Sequence, residues 1–334
     1  MRLLIITQTV DTDDRNLGFF VGWIREFARR CDSVTVICLR RGASSLPPNV
    51  RVFSLGTESG ASRFVRFFRY QKLLLQHLAQ TDGIFFHMSP EFVLAAHFLP
   101  ALFRRKTLLW YTHKKVGWRL RLAAELVDRI FTASKESCRL PSRKVEVVGH
   151  GIDTELFTKV VKDAPRLRMI TVGRVAPIKD LYTLILGFLA FKECAPEAEL
   201  SIIGDPITET DRRYANALKR DFAGRVEFHA GLPYGSAFLR HPASIFLHAS
   251  ATGSIDKAVL EALASGLFVI TSSEAFSETI PGVFTFKKGD PADLAQTILR
   301  AAGEAGRYNE AGRAWVKTHH ELRNLISRIV AFYA

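Results

Sequence analysis

Short runs rich in β-branched and aromatic residues alternate with longer amphipathic stretches through the first half of the chain. Strands are predicted over 2–9, 33–39, 50–55, 83–87, 107–111, 129–132 and 145–148. Helices are predicted between them over 18–30, 64–79, 91–103, 117–127 and 134–138. Strands that alternate with helices build mostly parallel sheets with both faces covered, so the pattern predicts an α/β fold.

The second half of the chain repeats this alternation. Strands are predicted over 169–172, 198–203, 226–230, 244–248 and 268–271, and helices over 181–191, 211–222 and 256–265. A chain of 334 residues exceeds the size that one core usually serves. We therefore expect two domains, over 1–160 and 161–312, with the stretch 160–168 as the linker.

The loop from Gly173 to Asp180 joins a predicted strand to a predicted helix and carries two cations, Arg174 and Lys179. Parallel sheets bind ligands at the carboxyl ends of their strands, where a helix N-terminus offers oriented N–H groups to an anion. Two fixed cations beside such a terminus suit a pyrophosphate. The alternative is a solvated loop with two ordinary surface cations.

A second stretch with binding character runs from 248 to 271 and contains a T-G-S turn at 252–254. Gly253 and Ser254 lead into a helix whose N-terminus again suits an anion, and Lys257 adds positive charge. Glu261 follows one turn later on the same helix. The alternative for this pair is a surface salt bridge, because side chains four residues apart on a helix are neighbours.

The strand ends of the first half carry three further candidates. Gly18 stands between an acidic loop and a helix, where a glycine either lets a phosphate approach the backbone or simply completes a turn. This loop lacks the G-x-G-x-x-G pattern, which disfavours a nicotinamide dehydrogenase. His87 and His113 follow apolar strands, where each either hydrogen-bonds a ligand hydroxyl or phosphate or is a simple loop residue. His113, which precedes two lysines, is the better candidate.

Positive charge is concentrated in the first half. The net charge is +13, and residues 1–160 hold 25 Lys and Arg against 14 Asp and Glu, whereas the remainder hold 21 against 19. Basic residues alternate with Phe and Leu over 62–75. This predicts either an interfacial helix on an anionic membrane or a core-packed helix with a solvated basic face. The sequence contains no recognised nucleic-acid module, so nucleic acid is not expected as a partner.

The four cysteines are scattered, without a C-x-x-C pair or a histidine at ligand spacing. This argues against zinc and a disulfide framework and for a reducing cytoplasm. The apolar N-terminal run is too short for a signal peptide, and no run of 18 apolar residues follows it. We therefore expect a cytoplasmic protein, whose basic surface would act on the inner face of the membrane.

Four segments stand in an informative order and spacing: H-G-I-D-T-E-L-F (150–157), V-G-R-V-A-P-I-K-D (172–180), V-E-F-H-A-G-L (226–232) and L-E-A-L-A-S-G-L-F-V-I-T (260–271). Together they resemble the family 4 glycosyltransferases of the GT-B fold. The resemblance implies two Rossmann-like β/α/β domains facing across a cleft. It also implies a C-terminal helix, within 313–334, that crosses back to the first domain; the apolar spacing of 315–332 fits such a helix.

The resemblance also implies an activity, the transfer of a sugar from a nucleotide diphosphate sugar with retention of configuration and without a bound metal or other cofactor. Arg174 and Lys179, which follow Gly173, match the pair that holds the donor diphosphate. Glu261 matches the residue that binds the ribose hydroxyls, and Leu232 falls where backbone groups grip the base. UDP and GDP are the expected donor nucleotides.

In the first domain, the resemblance places Gly18 near the donor phosphate and His113 beside the donor sugar. The sequence departs from the family at Gly253, eight residues before Glu261, where the family has a glutamate that contacts the donor sugar. Asp256 either caps the helix or supplies a carboxylate from a different position. Lys257 then offsets its repulsion with a diphosphate.

We therefore expect a retaining hexosyltransferase of polysaccharide biosynthesis that acts on a lipid-linked or cell-envelope glycan acceptor at the membrane face. Two alternatives stay open. A sugar-nucleotide binding protein without turnover is favoured by Gly253, and a polyanion-binding protein would follow from the basic first half alone.

Overall fold

The computed structural model describes residues 1–96, 99–157, 167–251, 253–304 and 306–334. The chain divides into two units, one formed by Met1–Gly151 with Glu321–Ala334 and the other by Ile152–His320. This division falls nearer the N-terminus than the predicted boundary at 160, because Arg313 of the second unit hydrogen-bonds the carbonyls of Thr154 and Phe157. The predicted linker lies, over 160–166, outside the described residues.

The first unit is a parallel sheet covered by helices. Its strands are β1 (Arg2–Val10), β2 (Ser33–Arg41), β3 (Val50–Ser54), β4 (Gly83–His87), β5 (Lys106–Trp110), β6 (Arg129–Thr132) and β7 (Val145–Val147). Its helices are α1 (Phe19–Ala28), α2 (Arg63–Leu78), α3 (Pro90–Ala96), α4 (Leu99–Leu102), α5 (Trp118–Leu126) and α12 (Leu322–Tyr333). The strand order is β3-β2-β1-β4-β5-β6-β7.

The second unit repeats the plan. Its strands are β8 (Arg168–Val172), β9 (Glu199–Ile203), β10 (Glu227–His229), β11 (Ile245–His248), β12 (Phe268–Thr271) and β13 (Val283–Thr285). Its α-helices are α6 (Leu181–Lys192), α7 (Glu209–Asp221), α8 (Ala237–Arg240), α9 (Lys257–Ala264), α10 (Pro291–Ala302) and α11 (Glu310–His320). The strand order is β10-β9-β8-β11-β12-β13, and a 3₁₀ turn spans Pro177–Lys179.

Each sheet reverses its winding once. In the first sheet the strands run outward from β1 in one direction and from β4 in the other, and in the second sheet β8 and β11 flank the reversal. In open parallel sheets, ligands bind outside the carboxyl ends of the strands at this switch point. The topology therefore marks one candidate position in each unit.

Helix α12 completes the first unit, where it packs against α1. The buried Tyr333 donates a hydrogen bond from its hydroxyl to the carbonyl of Ile84, at 2.7 Å. Its ring lies so close to Gly83 that a Cβ at that position would fall 2.2 Å from the ring. The end of the chain is thus built into the core of the first unit.

Two predicted helices differ in the structure, and a third is described only in part. Residues 134–138 form a turn, in which Ser137 N–H donates to the Ser134 carbonyl, and are too short to propagate a helix. The predicted helix at 91–103 is represented by α3 and α4, with 97–98 outside the described residues. The predicted helix at 315–332 is split into α11 and α12, because Glu321 takes an extended conformation with φ −61° and ψ 132°.

Candidate functional site

The loops that follow β8, β9 and β10 are tied together. Gly204 approaches the loop after β8 so closely that a Cβ there would lie 1.8 Å from the carbonyl oxygen of Gly173. Val175 N–H donates to the Asp205 carbonyl at 3.1 Å, and Gly231 N–H donates to the Asp205 carboxylate at 2.9 Å. These contacts hold the loop from 173 to 180 in place beside the switch point of the second sheet.

Arg174 is fixed by a carboxylate. Its Nε and Nη2 lie 2.7 and 2.6 Å from Oδ2 of Asp211, whose side chain is only 3% exposed. Asp211 also closes a capping box with Thr208 at the start of α7. Burial alone would raise the pKa of Asp211, but the hydrogen bonds from the Thr208 backbone and from Arg174 outweigh it and lower that pKa to about 2. Asp211 is therefore ionised at neutral pH and holds the guanidinium in one orientation.

Lys179, at the end of the 3₁₀ turn, forms an ion pair with Asp256. Asp256 is the N-cap of α9, where it accepts a hydrogen bond from Ala258 N–H at 3.3 Å. Nε2 of the buried His248 lies 3.1 Å from the same carboxylate, and its Nδ1 lies 2.9 Å from the hydroxyl of Thr271.

Of the two options for Asp256, the capping role is thus realised, and its carboxylate is held by Lys179 and His248. Burial would raise the pKa of Asp256, yet the positive charge of Lys179 and the hydrogen bond from His248 hold it well below its usual range. Burial also lowers the pKa of His248. The cluster therefore contains one cation and one anion at neutral pH.

Arg174, Lys179 and His248 line one small pocket, together with Gly173 and the last residues of β8, β9 and β11. Its position is the switch point of the second sheet. The predicted cation pair is thus brought together. Each member is oriented by its own carboxylate, and the side chains of Arg174 and Lys179 stay 39% and 21% exposed.

Glu261 and Lys257 are withdrawn from water. Glu261 is only 8% exposed, and Nζ of Lys257 is buried 5.1 Å from the ring centroid of Tyr234. Burial raises the pKa of Glu261 to about 7 against the opposing charge of Lys257. Burial likewise lowers the pKa of Lys257 to about 7, opposed by Glu261 and Asp153. The surface salt bridge was therefore the wrong alternative, and such buried, shifted groups are typical of binding sites.

Gly253 is buried and left-handed, with φ +60°. A glutamate in this conformation would be disfavoured by about 1–2 kcal/mol. The backbone at this position therefore favours the glycine of this chain over the glutamate of the family. Ser254 and, in the loop after β10, Leu232 are half-buried. Thr252, the first residue of the predicted turn, lies outside the described residues.

Gly18 lies at the start of α1 in the first unit. A Cβ there would fall 2.5 Å from the Asp14 carbonyl oxygen and 2.8 Å from that of Thr12, so the position requires glycine. Its N–H donates to the Asp14 carbonyl at 2.8 Å. The local need for glycine is therefore explained by close packing within the acidic loop.

The two candidate histidines of the first unit differ in their surroundings. His87 is buried, stacks on Phe20 with ring centroids 3.9 Å apart, and lies 3.1 Å from the hydroxyl of Thr7. His113 is exposed, and its Nδ1 accepts a hydrogen bond from Lys115 N–H at 3.1 Å. His113 thus keeps its ring accessible to a ligand, whereas His87 belongs to the core.

Two residues of the second site were not predicted from the sequence, Asp211 and His248. The T-E-T-D segment at 208–211 is a capping-box pattern, which would have placed Asp211 at a helix start but not beside Arg174. His248 ends a strand, as His113 nearly does, and only its position beside the switch point distinguishes it. Over the parts of the chain that the structure describes, no group of three or more His, Cys, Asp or Glu side chains is placed to hold a metal ion.

The fold and the site together define a class. Both units have the Rossmann strand order 3-2-1-4-5-6, to which the first adds a seventh strand, and the switch point of the second carries two oriented cations. The chain has the GT-B fold of glycosyltransferases. Residues 166–304, nearly all of the second sheet and its helices, match the family described as Glycosyl transferases group 1.

Solved structures extend the similarity over the whole chain. HepE of Anabaena in complex with UDP is 15% identical, with a TM-score of 0.77 and 99% of both chains covered. Sucrose-phosphate synthase of Thermosynechococcus elongatus is 15% identical, with a TM-score of 0.75 over 100% of this chain and 98% of the other. The lipopolysaccharide outer core galactosyltransferase WaaB is 14% identical, with a TM-score of 0.68 and 99% of both chains covered.

No curated protein matches the sequence. The resemblance to GT-B glycosyltransferases is confirmed by the family match and by the shared fold. Assignment to family 4 and retention of configuration stay predictions.

Proposed function

We propose that the protein is a retaining glycosyltransferase that takes a sugar from a nucleotide diphosphate sugar. The observation that carries the proposal is the joint placement of Arg174 and Lys179 in one pocket at the switch point of the second sheet, inside the segment that matches the glycosyl transferase family. HepE, a similar structure, was solved with UDP and with UDP-glucose, which favours UDP over GDP as the donor nucleotide.

In this proposal the two cations stabilise the departing diphosphate. Breaking the glycosidic bond places negative charge on the leaving group. Positive side chains that are already in position stabilise this charge in the transition state, because they do not have to move during the reaction. Asp211 and Asp256 hold Arg174 and Lys179 in position, since both carboxylates are ionised at neutral pH. The cations thus take the part that a divalent metal plays in other transferases.

The neighbouring groups orient the donor. Glu261, buried one turn into α9, accepts hydrogen bonds from the ribose hydroxyls, and the backbone near Leu232 holds the base. Gly253, Ser254 and the start of α9 approach the phosphates, and the buried Lys257 adds charge as it takes up a proton. Orientation of this kind contributes through proximity rather than through proton transfer.

Gly18 and His113 act on the same donor in this proposal, an assignment that rests on the family resemblance. The exposed ring of His113 is suited to hydrogen-bond a sugar hydroxyl. In the same assignment Gly18 lies near the donor phosphate.

We further propose a lipid-linked or cell-envelope glycan acceptor, met at the inner face of an anionic membrane. Phe64 and Phe68 of α2 are 78% and 67% exposed, and Trp118 of α5 is 67% exposed. Residues 61–128 hold 11 Lys and Arg against 4 Asp and Glu. Exposed aromatic rings among basic side chains are typical of surfaces that lie on anionic lipid. None of the helices described is long and apolar enough to cross a membrane.

The test is a thermal-shift series with UDP, GDP, ADP and CMP, each with and without EDTA, because a ligand of the native state raises the midpoint at concentrations above its Kd. The expected result is a shift with UDP that EDTA leaves unchanged. An absence of shift with every nucleotide would contradict the proposal.

Sugar-nucleotide hydrolysis then separates a transferase from a binding protein without turnover. Release of UDP from a UDP-sugar that shifts the midpoint supports transfer. Binding without release, in the presence of candidate acceptors, would favour the silent alternative.

A further inference from the structure

A separate cavity of about 400 Å³ lies in the first unit. It is lined from the carboxyl-end side of β1, β2, β3 and β4 by residues 8, 39, 55 and 89, and from the helices by α2 and α3. This is the switch point of the first sheet, where parallel sheets bind their ligands. The volume falls within the range of about 300–1,000 Å³ that small-molecule pockets span.

The walls of this cavity are apolar. They are formed chiefly by Leu39, Leu55, Phe67, Tyr70, Phe92 and Ala95. The uncharged polar groups of the lining bond to one another or to backbone: the Tyr70 hydroxyl donates to the Phe92 carbonyl at 3.0 Å, and Gln8 Nε2 donates to Ser89 Oγ at 2.8 Å. A sugar would need many polar partners, whereas a hydrocarbon chain needs only such a lining.

Two arginines stand at the cavity, Arg63 and Arg66. Arg66 donates from Nη1 to the Thr57 hydroxyl at 2.9 Å, and its Nε is shielded from water without a hydrogen-bond partner among the described residues. The carboxylate that lines the cavity, Glu91, is paired with Arg119 at 3.3 Å. A buried donor without a partner carries an energetic penalty that a bound anion would relieve.

We infer that this cavity binds an amphipathic lipid phosphate, with the hydrocarbon chain among the apolar walls and the phosphate on Arg63 and Arg66. The exposed rings of Phe64 and Phe68 lie on the same helix, α2, as Arg63 and Arg66, so a membrane that this helix contacts would hold such a lipid beside the cavity. The inference deepens the proposed function, on which it rests for its meaning, by naming the chemistry of the acceptor: a sugar acceptor carried on a lipid phosphate.

The experiment is calorimetric titration of the full chain, without nucleotide, with monodecyl phosphate below its critical micelle concentration. Decyl maltoside supplies the same chain with a neutral head group, and inorganic phosphate supplies the anion alone. We expect binding of decyl phosphate, binding of the maltoside weaker by about tenfold or more, which corresponds to one charged hydrogen bond, and no heat from inorganic phosphate.

Variants locate the site. Ala95→Phe fills the cavity and should abolish binding, whereas Ala101→Phe adds the same ring at an exposed position of α4 and should leave it intact. Arg66→Gln should weaken decyl phosphate about tenfold and the maltoside hardly at all. Lys72→Gln, an exposed cation of the same helix outside the cavity, is its control.

Equal affinity of Ala95→Phe and the wild type, equal affinity for the charged and neutral amphiphiles, or no binding of decyl phosphate would each overturn the inference. If circular dichroism shows that Ala95→Phe does not fold, the comparison of Arg66→Gln with Lys72→Gln tests the inference instead. Equal affinity of these two variants for decyl phosphate would then overturn it. Thermal shift by UDP in the same preparations reports the second site separately, so failure of the donor proposal and failure of this inference are distinguishable.

Discussion

The switch points of the two sheets present opposite chemistry on one topological plan. In the second sheet, Arg174 and Lys179 are each paired with an ionised carboxylate, and the buried Glu261 and the buried ammonium group of Lys257 lie nearby. In the first sheet, the cavity is apolar, and Arg63 and Arg66 have no carboxylate partner among the described residues.

This difference reflects how each kind of ligand is held. A carboxylate that orients a cation fixes the direction of its hydrogen bonds, which suits a leaving group of a single geometry. Arg63 and Arg66 lack such carboxylates among the described residues, which leaves their charge for the head group of a ligand delivered with a chain. The fold supplies the position of both sites, and the residues that end the strands and begin the helices decide what binds there.

The largest expected effect concerns the buried glutamate of the second site. The pKa of Glu261 is raised to about 7 in the folded chain from an ordinary 4.5, so the native state binds more protons than the unfolded state between these values. The free energy of unfolding should therefore fall as pH rises from about 4.5 to 7, by roughly 3 kcal/mol for this group. Glu261→Gln should remove that slope in chemical denaturation, measured as the difference from wild type.

Glu91→Gln is the matched change at the first site, where the carboxylate is 58% exposed. An identical slope in wild type and Glu261→Gln would contradict the burial argument.

Removal of Asp211 should be the next largest effect. Asp211→Asn puts a neutral amide in place of the buried carboxylate that accepts hydrogen bonds from Arg174 and from two backbone N–H groups. Because the guanidinium is partly exposed, we expect a loss of about 2–3 kcal/mol in the free energy of unfolding, below the value for a fully buried pair. The exposed pair at the first site gives the comparison, since Glu91→Gln should change stability by less than about 1 kcal/mol. Equal losses would remove the contrast between the two sites.

Nucleotide affinity should respond to the cations of the second site alone. Arg174→Ala or Lys179→Ala should weaken UDP binding by about 1.5–3 kcal/mol, the scale of a charged hydrogen bond. Arg212→Ala, an exposed arginine on α7, should leave the affinity unchanged in the same titration. Unchanged affinity in both Arg174→Ala and Lys179→Ala would rule out their role at the diphosphate.

The smallest effect concerns the exposed rings of α2. The double change Phe64→Ser with Phe68→Ser should weaken the free energy of binding to anionic vesicles by about 1 kcal/mol per ring, because each ring buries only part of its surface at an interface. Co-sedimentation with the vesicles measures this loss. Leu299→Ser, a 63% exposed apolar residue of α10, is the control. Undiminished vesicle binding by the double variant would point to another surface.

The hydropathy pattern predicted the bounds of an element correctly where the element is a short apolar run that the fold buries. The strands at 83–87, 129–132 and 268–271 have the predicted bounds, since each is a short apolar run between polar turns. The helix predicted over 134–138 was wrong because the few hydrogen bonds of a five-residue helix do not offset the free-energy cost of nucleating it. The break at Glu321 was missed because it depends on a backbone conformation that apolar spacing does not encode.

The site was predictable in its loops but not in its pairings. The position of Arg174 and Lys179 at a strand end follows from local sequence. Their partners Asp211 and Asp256 are 37 and 77 residues away along the chain, and only the tertiary fold brings them close. The burial of Glu261 was open for the same reason, because i,i+4 spacing with a lysine is equally compatible with a solvated face.

The burial of Tyr333 beneath Gly83 has a consequence for biosynthesis. The second unit, Ile152–His320, is continuous in sequence, whereas the first takes part of its core from residues after 320. A ribosome that adds about 5–20 residues per second needs roughly 10–30 seconds to translate the intervening segment. During that interval the nascent first unit lacks the helix that carries Tyr333, so the second unit has all of its residues before the first unit does.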